Sequence, residues 1–375
     1  MVNKVKKTRI YLHIKLIVAI VLAASSINSF SQEVSDSKLK VGAFYFDGWN
    51  GKNAYQLNPH LISNFPERKP IWGWVTSTQD LVNEQIKTAE EYGISFFTFC
   101  WFYNKNKTGS LDDDQKNTAL KFFLKSEYKS KLEYSLLVSN HKGYEINKHD
   151  WNVLISYWIK LFKDPRYLNV NNKPLITFFN LEGLIKTFGS INEVKLALNK
   201  FRDTAVKSGL NGVTIAVCLS PTISRVRSAE NIGFDLLTNY NFHKEGFKSQ
   251  LNEVKAIENM TQAERHIWTK LSTISNLPQI PTVTLNWDPR PTEVGKKNIS
   301  SRYIGFSGKS VFNSINNARE WVNVNSNHVT EEKIVTLFAW NEYSEGAWLT
   351  PSRKLGNSLL DGVQRALKIS LPSPK

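Results

Sequence analysis

The sequence predicts an α/β protein, a (β/α)8 TIM barrel in a single domain. Three observations lead there. Strand-like and helix-like segments alternate about eight times over the roughly 340 residues that follow an N-terminal leader. Each strand-like segment is a nearly continuous apolar run, as in a parallel sheet covered by helices. No Pro/Gly/Ser-rich linker and no internal repeat divides the chain. A doubly wound open sheet is the alternative arrangement of these elements, but no G-x-G-x-x-G follows the first strand, as its dinucleotide-binding version requires.

Taken in order, the first strand is expected at 40–46, followed by a long connection at 47–76 that contains aromatics and proline. A helix at 78–92, with Ile86 and Ala89 on one face, stops at Gly93. The second strand is 94–101, and a helix that starts on acids follows at 112–126. The third strand, 133–139, leads to a helix carrying Trp151, Leu154, Ile155, Trp158 and Ile159. A fourth strand at 174–179 precedes a helix at 191–208, and a fifth lies at 212–218. Strand six is 234–240, with a long helix at 250–275 after it. The seventh strand, 282–286, and the eighth, 334–340, flank a helix at 311–324, and a helix at 358–367 closes the chain.

The first residues read as a secretory signal peptide. Lys4, Lys6, Lys7 and Arg9 form a basic start, an apolar run covers 16–24, and small residues around Ser31 offer a cleavage site. The expected division is a leader at 1–31 and a catalytic domain at 32–375, exported to the periplasm or beyond. An uncleaved N-terminal anchor is the alternative, although the apolar run is short for a bilayer. No other stretch is long and apolar enough to cross a membrane.

The formal net charge is +15, and the leader supplies five of those positive charges without an acid. The remaining excess favours an anionic partner, and a sulfated or uronic-acid-bearing glycan fits it, as does a merely basic surface. Nucleic acid is a poor partner, because the basic residues are scattered and no binding motif accompanies them. Cys100 and Cys218 end apolar runs and read as buried thiols, or as a pair in an exported chain. Neither they nor the seven histidines show metal-ligand spacing, so no metal and no cofactor is expected.

The chemistry concentrates after the eighth strand, in Trp340-Asn341-Glu342-Tyr343-Ser344-Glu345-Gly346. Two carboxylates that share a small volume cannot both ionise freely, so one is pushed towards a neutral acid near pH 7. Cleavage of a glycosidic bond needs such an acid and base. A bare E-x-x-E is by itself more often a pair of solvated carboxylates. Here a buried strand precedes it, and Trp340, Tyr343 and Trp348 surround it.

In a (β/α)8 barrel the active site lies at the C-terminal ends of the strands. Those ends offer Tyr45, Asp47 and Trp49 from strand one, and Trp101, Tyr103 and Asn104 from strand two. Strands three and four offer Asn140, His141 and Asn180, and strand six offers Asn239, Asn241 and His243. Strand seven ends in Asn286, Trp287, Asp288 and Arg290, and strand eight in Asn341, Glu342, Tyr343, Glu345 and, shortly after, Trp348. Aromatic faces suit sugar rings, and amides offer both donors and acceptors to hydroxyls. Singly, each Asn or Asp also fits ordinary turn chemistry.

The stretch Trp340-Asn-Glu-Tyr-Ser-Glu-Gly-Ala-Trp-Leu-Thr-Pro351 resembles the W-N-E-W-x-E-G signature of the WbsX-like proteins and of glycoside hydrolase family 99. Lys163-Asp-Pro-Arg-Tyr167 with Asn172-Lys-Pro-Leu175, Gly42-Ala-Phe-Tyr45, Cys100-Trp-Phe-Tyr103 and Asn286-Trp-Asp-Pro-Arg290 are similar to further segments of that group, in order along most of the chain. The resemblance implies a retaining, endo-acting hydrolase. In family 99 one glutamate deprotonates the substrate's own 2-hydroxyl, which attacks the anomeric carbon to give a 1,2-anhydro sugar, and the other acts as acid and then base. By position, Glu342 is the implied base and Glu345 the implied acid/base. Tyr343-Ser344 stands where family 99 has Trp-His, which implies different substrate contacts beside the pair. Some WbsX-like members carry the label glycosyltransferase. A glycosyltransferase and a glycan-binding barrel without catalysis are therefore the rival expectations.

Overall fold

The computed structural model describes residues 38–52, 55–104 and 110–368, so the expected leader lies outside the described residues. Eight parallel strands form the barrel: β1 (Lys40–Tyr45), β2 (Phe96–Trp101), β3 (Glu133–Val138), β4 (Lys173–Phe178), β5 (Thr214–Cys218), β6 (Leu236–Thr238), β7 (Thr282–Thr284) and β8 (Ile334–Phe338). They pair in the order 6-5-4-3-2-1-8-7. The remaining seam, between β6 and β7, is drawn together by Leu237 N–H donating to Pro278 O (3.1 Å) and Ile280 N–H donating to Leu237 O (2.9 Å). The expected (β/α)8 barrel is the observed fold.

Alternation along each strand divides the apolar residues into two cores. Odd-numbered β1 residues (Val41, Ala43, Tyr45) and Phe97, Phe99 and Trp101 of β2 face outward, into the layer shared with the helices. Phe44, Cys100, Leu137, Cys218 and Phe338 face inward and fill the top of the barrel. Phe96, Leu175, Ala216, Leu236, Ile280 and Ile334 fill its bottom. Between them runs a belt of buried hydroxyls, with Thr98 bonded to Ser135 (2.9 Å) and Thr238 to the carbonyl of Ile280 (2.9 Å).

The covering helices are α1 (Pro59–Asn64), α2 (Gln79–Glu91), α3 (Thr118–Lys125), α4 (Trp151–Phe162), α5 (Leu181–Phe188), α6 (Ile191–Lys207), α7 (Ile223–Ile232), α8 (Glu258–Ile274), α9 (Gly308–Val324) and α10 (Ser358–Lys368). Two sequence expectations change. The helix expected from 250 begins at 258, because Val254–Ala256 pairs instead with Arg302–Ile304 in a small parallel ribbon outside the barrel. The stretch after β4, where no element is expected from the sequence, forms α5, capped by the Asn180 side chain, which accepts from Gly183 N–H (3.0 Å).

Gly42 matters because its neighbour across the β1–β2 pair is Phe96. A Cβ at residue 42 would lie 2.3 Å from that ring, which occupies the barrel floor. Gly42→Ala is therefore expected to destabilise the fold by about 1–3 kcal/mol through overpacking. Urea unfolding checks it, and an unchanged midpoint would mean that the ring has room to move.

Candidate active site

The segment after β8 is held by backbone and amide contacts before any carboxylate is considered. Trp340 N–H donates to Phe44 O (2.8 Å), which continues the β8–β1 pairing past the strand end. Asn341 Oδ1 accepts from Phe46 N–H (2.9 Å), and Asn341 O accepts from the Trp49 indole (2.7 Å). Asn341–Glu342 then pairs antiparallel with Ala347–Trp348, two residues on each side, so the chain reverses within Tyr343–Gly346. Gly346 sits at φ +82°, and a Cβ there would lie 2.9–3.1 Å from Asp288 atoms. Glycine meets both demands, positive φ and close approach.

Asp288, after β7, anchors that reversal. Its N–H donates to Glu345 O (2.6 Å), and the nearby Asn286 amide donates to Gly346 O (2.7 Å). Arg68, buried at 2% exposure, donates to Asp288 O (3.0 Å), Asp288 Oδ2 (2.6 Å) and Tyr343 O (2.9 Å). Arg290 adds a two-pronged contact to the same carboxylate, at 2.8 and 2.7 Å. Burial alone would raise the Asp288 pKa, but the Arg290 hydrogen bonds and the Arg68 charge outweigh it and hold the carboxyl below its usual range. Burial pulls Arg68 down to about 10, which still leaves it charged at neutral pH.

The turn delivers Glu342 and Glu345 into a cavity of about 490 Å3 at the C-terminal end of the barrel. Glu342 is 4% exposed and accepts from the Tyr240 hydroxyl at 2.5 Å. Burial lifts its pKa to about 7, against the pull of that hydrogen bond. Glu345 keeps part of its surface open to the cavity. Burial, and then the charge of Glu342, push its pKa well above the ordinary carboxylate value. The two titrate as a pair, and near neutral pH the last proton favours Glu345. Tyr240 is pushed well above 10 by burial and stays a donor. Its ring is wedged against Phe44 and Phe338, with centroids at 4.8 and 4.9 Å.

Of the residues expected at the rim, His141 lines the same cavity as the two glutamates. Trp287 packs against the upper barrel core, and His243 is stacked on it with ring centroids 3.6 Å apart. Burial, with the charge of Lys244, lowers His243 to about 3, so it is a neutral ring; Asn241 Oδ1 pairs with its Nδ1. Arg290 and Asp288 belong to the clamp that they form with Arg68 on the turn after β8.

The others are framework, not among the described residues that line the cavity. Tyr45 and Trp340 share Gln85 Oε1 (3.1 and 3.0 Å). Asp47 accepts from Ser77 and from Ala119 N–H, and burial raises it to about 6. Trp49 packs on Tyr343, whose hydroxyl bonds Thr350 (2.8 Å). Trp101 stacks on Tyr157, and Tyr103 donates to Asp150. The Asn140 side chain bonds the Asn180 backbone twice, donating to its carbonyl (2.8 Å) and accepting from its N–H (2.9 Å). Trp348 packs edge-on against Phe306.

The physical reason is strand parity. Tyr45, Trp101, Tyr103, Asn140 and Asn180 all fall on the outward phase of their strands. The residues one position away, Phe46, Cys100, Phe102, Ser139 and Phe179, point into the barrel and line the cavity. Tyr240 stands in the same inward phase, two residues after Thr238. Counting in twos from the strand interiors is the signal that finds them.

The family profile described as Glycosyltransferase WbsX matches residues 60–363, and the chain belongs to that family. A protein of Xanthomonas campestris pv. campestris, named "Uncharacterized protein WxcX", is 21% identical over 86% of this chain and 47% of its own length. This chain thus spans about half the length of the curated relatives it matches. A solved structure described as a glycoside hydrolase-like protein has a TM-score of 0.62 at 17% identity, covering 89% of this chain and 95% of the other. The family 99 endo-α-mannosidase of Bacteroides thetaiotaomicron has a TM-score of 0.54 at 13% identity, covering 87% and 95%. At these identities the likeness is one of fold.

The clamp makes a clear prediction. Arg68→Ala leaves a buried carboxylate and two backbone carbonyls short of a donor, and it should cost about 3–5 kcal/mol in denaturant unfolding. Arg68→Lys should recover little of this, because an ammonium lacks the planar fork. Full recovery by lysine would show that charge alone holds the turn.

Proposed function

We propose that the protein is an exported glycoside hydrolase that cuts within a glycan chain with retention, through a 1,2-anhydro-sugar intermediate. The observation that carries the reading is the pair of carboxylates with one proton favoured between them at neutral pH, placed in a half-open cavity at the C-terminal end of the barrel. The fold shared with glycoside hydrolases and the leader pattern at 1–31 support it.

In this mechanism Glu342, ionised and bonded by Tyr240, takes the proton of the substrate's 2-hydroxyl. The freed oxygen attacks C1 as the glycosidic C1–O bond breaks, and Glu345 gives its proton to the departing oxygen. Glu345, now a carboxylate, takes a proton from water, and that water's oxygen opens the three-membered ring at C1. The proton on Glu342 returns to O2, and both carboxyls end as they began. Tyr240 is the positioning residue that keeps Glu342 the more acidic member of the pair.

Two measurements test this. Glu342→Gln and Glu345→Gln should each lower turnover by roughly 10²–10⁴-fold with the fold intact. The assay is a digest of α-mannans and of sulfated and uronic polysaccharides, with products sized by mass. Near-wild-type release from either variant removes the assignment. Tyr240→Phe withdraws a hydrogen bond that favours the ionised form of Glu342, so the Glu342 pKa should rise from about 7. The acid-side limb of the pH–rate profile, which climbs as Glu342 deprotonates, should then move to higher pH. A limb that stays in place would leave Tyr240 no part in setting the base.

The family's description favours a second reading, transfer from a sugar nucleotide to a surface polysaccharide. Consumption of a sugar nucleotide that depends on Glu342 and Glu345, without hydrolysis of any polysaccharide, would establish that reading instead.

A further inference from the structure

The cavity that holds the two carboxylates is also lined by a cation. Lys116 is the only lysine or arginine among its described lining residues. It lies on the single 3-10 turn Gln115–Asn117 that precedes α3. Its side chain is 16% exposed, and its ammonium lies over the rings of Phe102 (4.9 Å) and Tyr144 (4.6 Å). It donates to the Tyr144 hydroxyl. The nearest carboxylate, Asp114, stands at 3.7 Å, beyond hydrogen-bond reach, and its Oδ1 already accepts the Lys116 backbone N–H at 2.8 Å.

An ammonium has three protons to give, and the described side chains use one of them. Two rings and a neighbouring charge hold it in place without completing its hydrogen bonds, so donor capacity remains on the cavity side. A largely buried cation costs free energy unless its hydrogen bonds are completed. The glutamate pair carries net negative charge around neutral pH and repels any anion brought into the same cavity. A substrate with a negative group therefore needs a local cation there, and a neutral sugar does not.

We infer that Lys116 receives an anionic substituent, a carboxylate or a sulfate ester, on the sugar that occupies this cavity, and so selects acidic glycans. This rests on the reading of the cavity as a glycan site, and not on whether the glycan is cut. The ammonium is a compact point charge and accepts either group. The positive charge of the whole chain acts in the same direction, by drawing a polyanion towards the surface.

The test measures binding, so that it stands apart from turnover. Glu345→Gln protein is titrated calorimetrically with matched oligosaccharides: a uronic-acid oligosaccharide and its carboxyl-reduced form, and a sulfated oligosaccharide and its desulfated form. The charged member of at least one pair should bind tenfold or more tightly than its neutral partner, and that pair names the group. Adding Lys116→Gln should abolish the preference while leaving the neutral member's affinity in place, and Lys116→Arg should restore part of it. A preference that survives Lys116→Gln, an equal loss for both members, or no preference in either pair overturns the inference. Hydrolysis of a neutral glycan without charge preference would retain the hydrolase and remove the role of Lys116. Charge-dependent binding without cleavage would do the reverse.

Discussion

The Asp288 carboxylate is the point on which the site depends. It lies between two guanidiniums, buried Arg68 and half-exposed Arg290, and its own N–H reaches the carbonyl of Glu345. Taking the carboxylate and the Arg68 guanidinium out of water is costly, and hydrogen bonds to both oxygens of Asp288 offset it. Arg68 spends its donors on two chain segments at once, the loop after β7 and the reversal after β8. The cluster therefore acts less as a source of stability than as a fixed distance between those loops. Gly346 fits against Asp288 at that distance, and the reversal points both glutamates inward.

The electrostatics of the pair follow from this placement. The raised pKa of Glu342, about 7, means that burial disfavours its ionised form. Rigid elements enforce this by holding the carboxyl on the hydroxyl of Tyr240, whose ring is wedged against Phe44 and Phe338, instead of letting it turn to solvent. Within this low-dielectric setting a single phenol decides how the proton is divided. Tyr240 donates to Glu342 and to no oxygen of Glu345, which makes the two chemically similar groups unequal. The same setting gives weight to Lys116, since a cation held over two aromatic faces attracts an anion more strongly there than at an exposed surface.

Much of the architecture was legible from local pattern. Continuous apolar runs such as Ile334 to Phe338 and the helix stop at Gly93 reflect burial and backbone freedom, which act over a few residues. The carboxylate pair was legible for the same reason, because both members lie on one short turn. The ribbon between Val254–Ala256 and Arg302–Ile304 was hidden, since its partners are far apart in sequence. Arg68 was hidden too, in a connection with no periodicity, because its meaning lies entirely in the distant atoms it bonds.

The division between the two sources is physical. By itself the sequence determined the strand and helix alternation, the parallel barrel, and the end of it at which Glu342 and Glu345 emerge, because each depends on side-chain pattern within one segment. The tertiary structure decided which neighbours of the strand ends face the cavity. A strand's phase can shift its side chains between core and helix layer in a single residue, and only pairing with the adjacent strands sets it. That phase turned Trp101 and Asn140 into framework, brought Tyr240 to Glu342, and left Lys116, from a loop beside β2, in the same cavity as a pair of acids from β8.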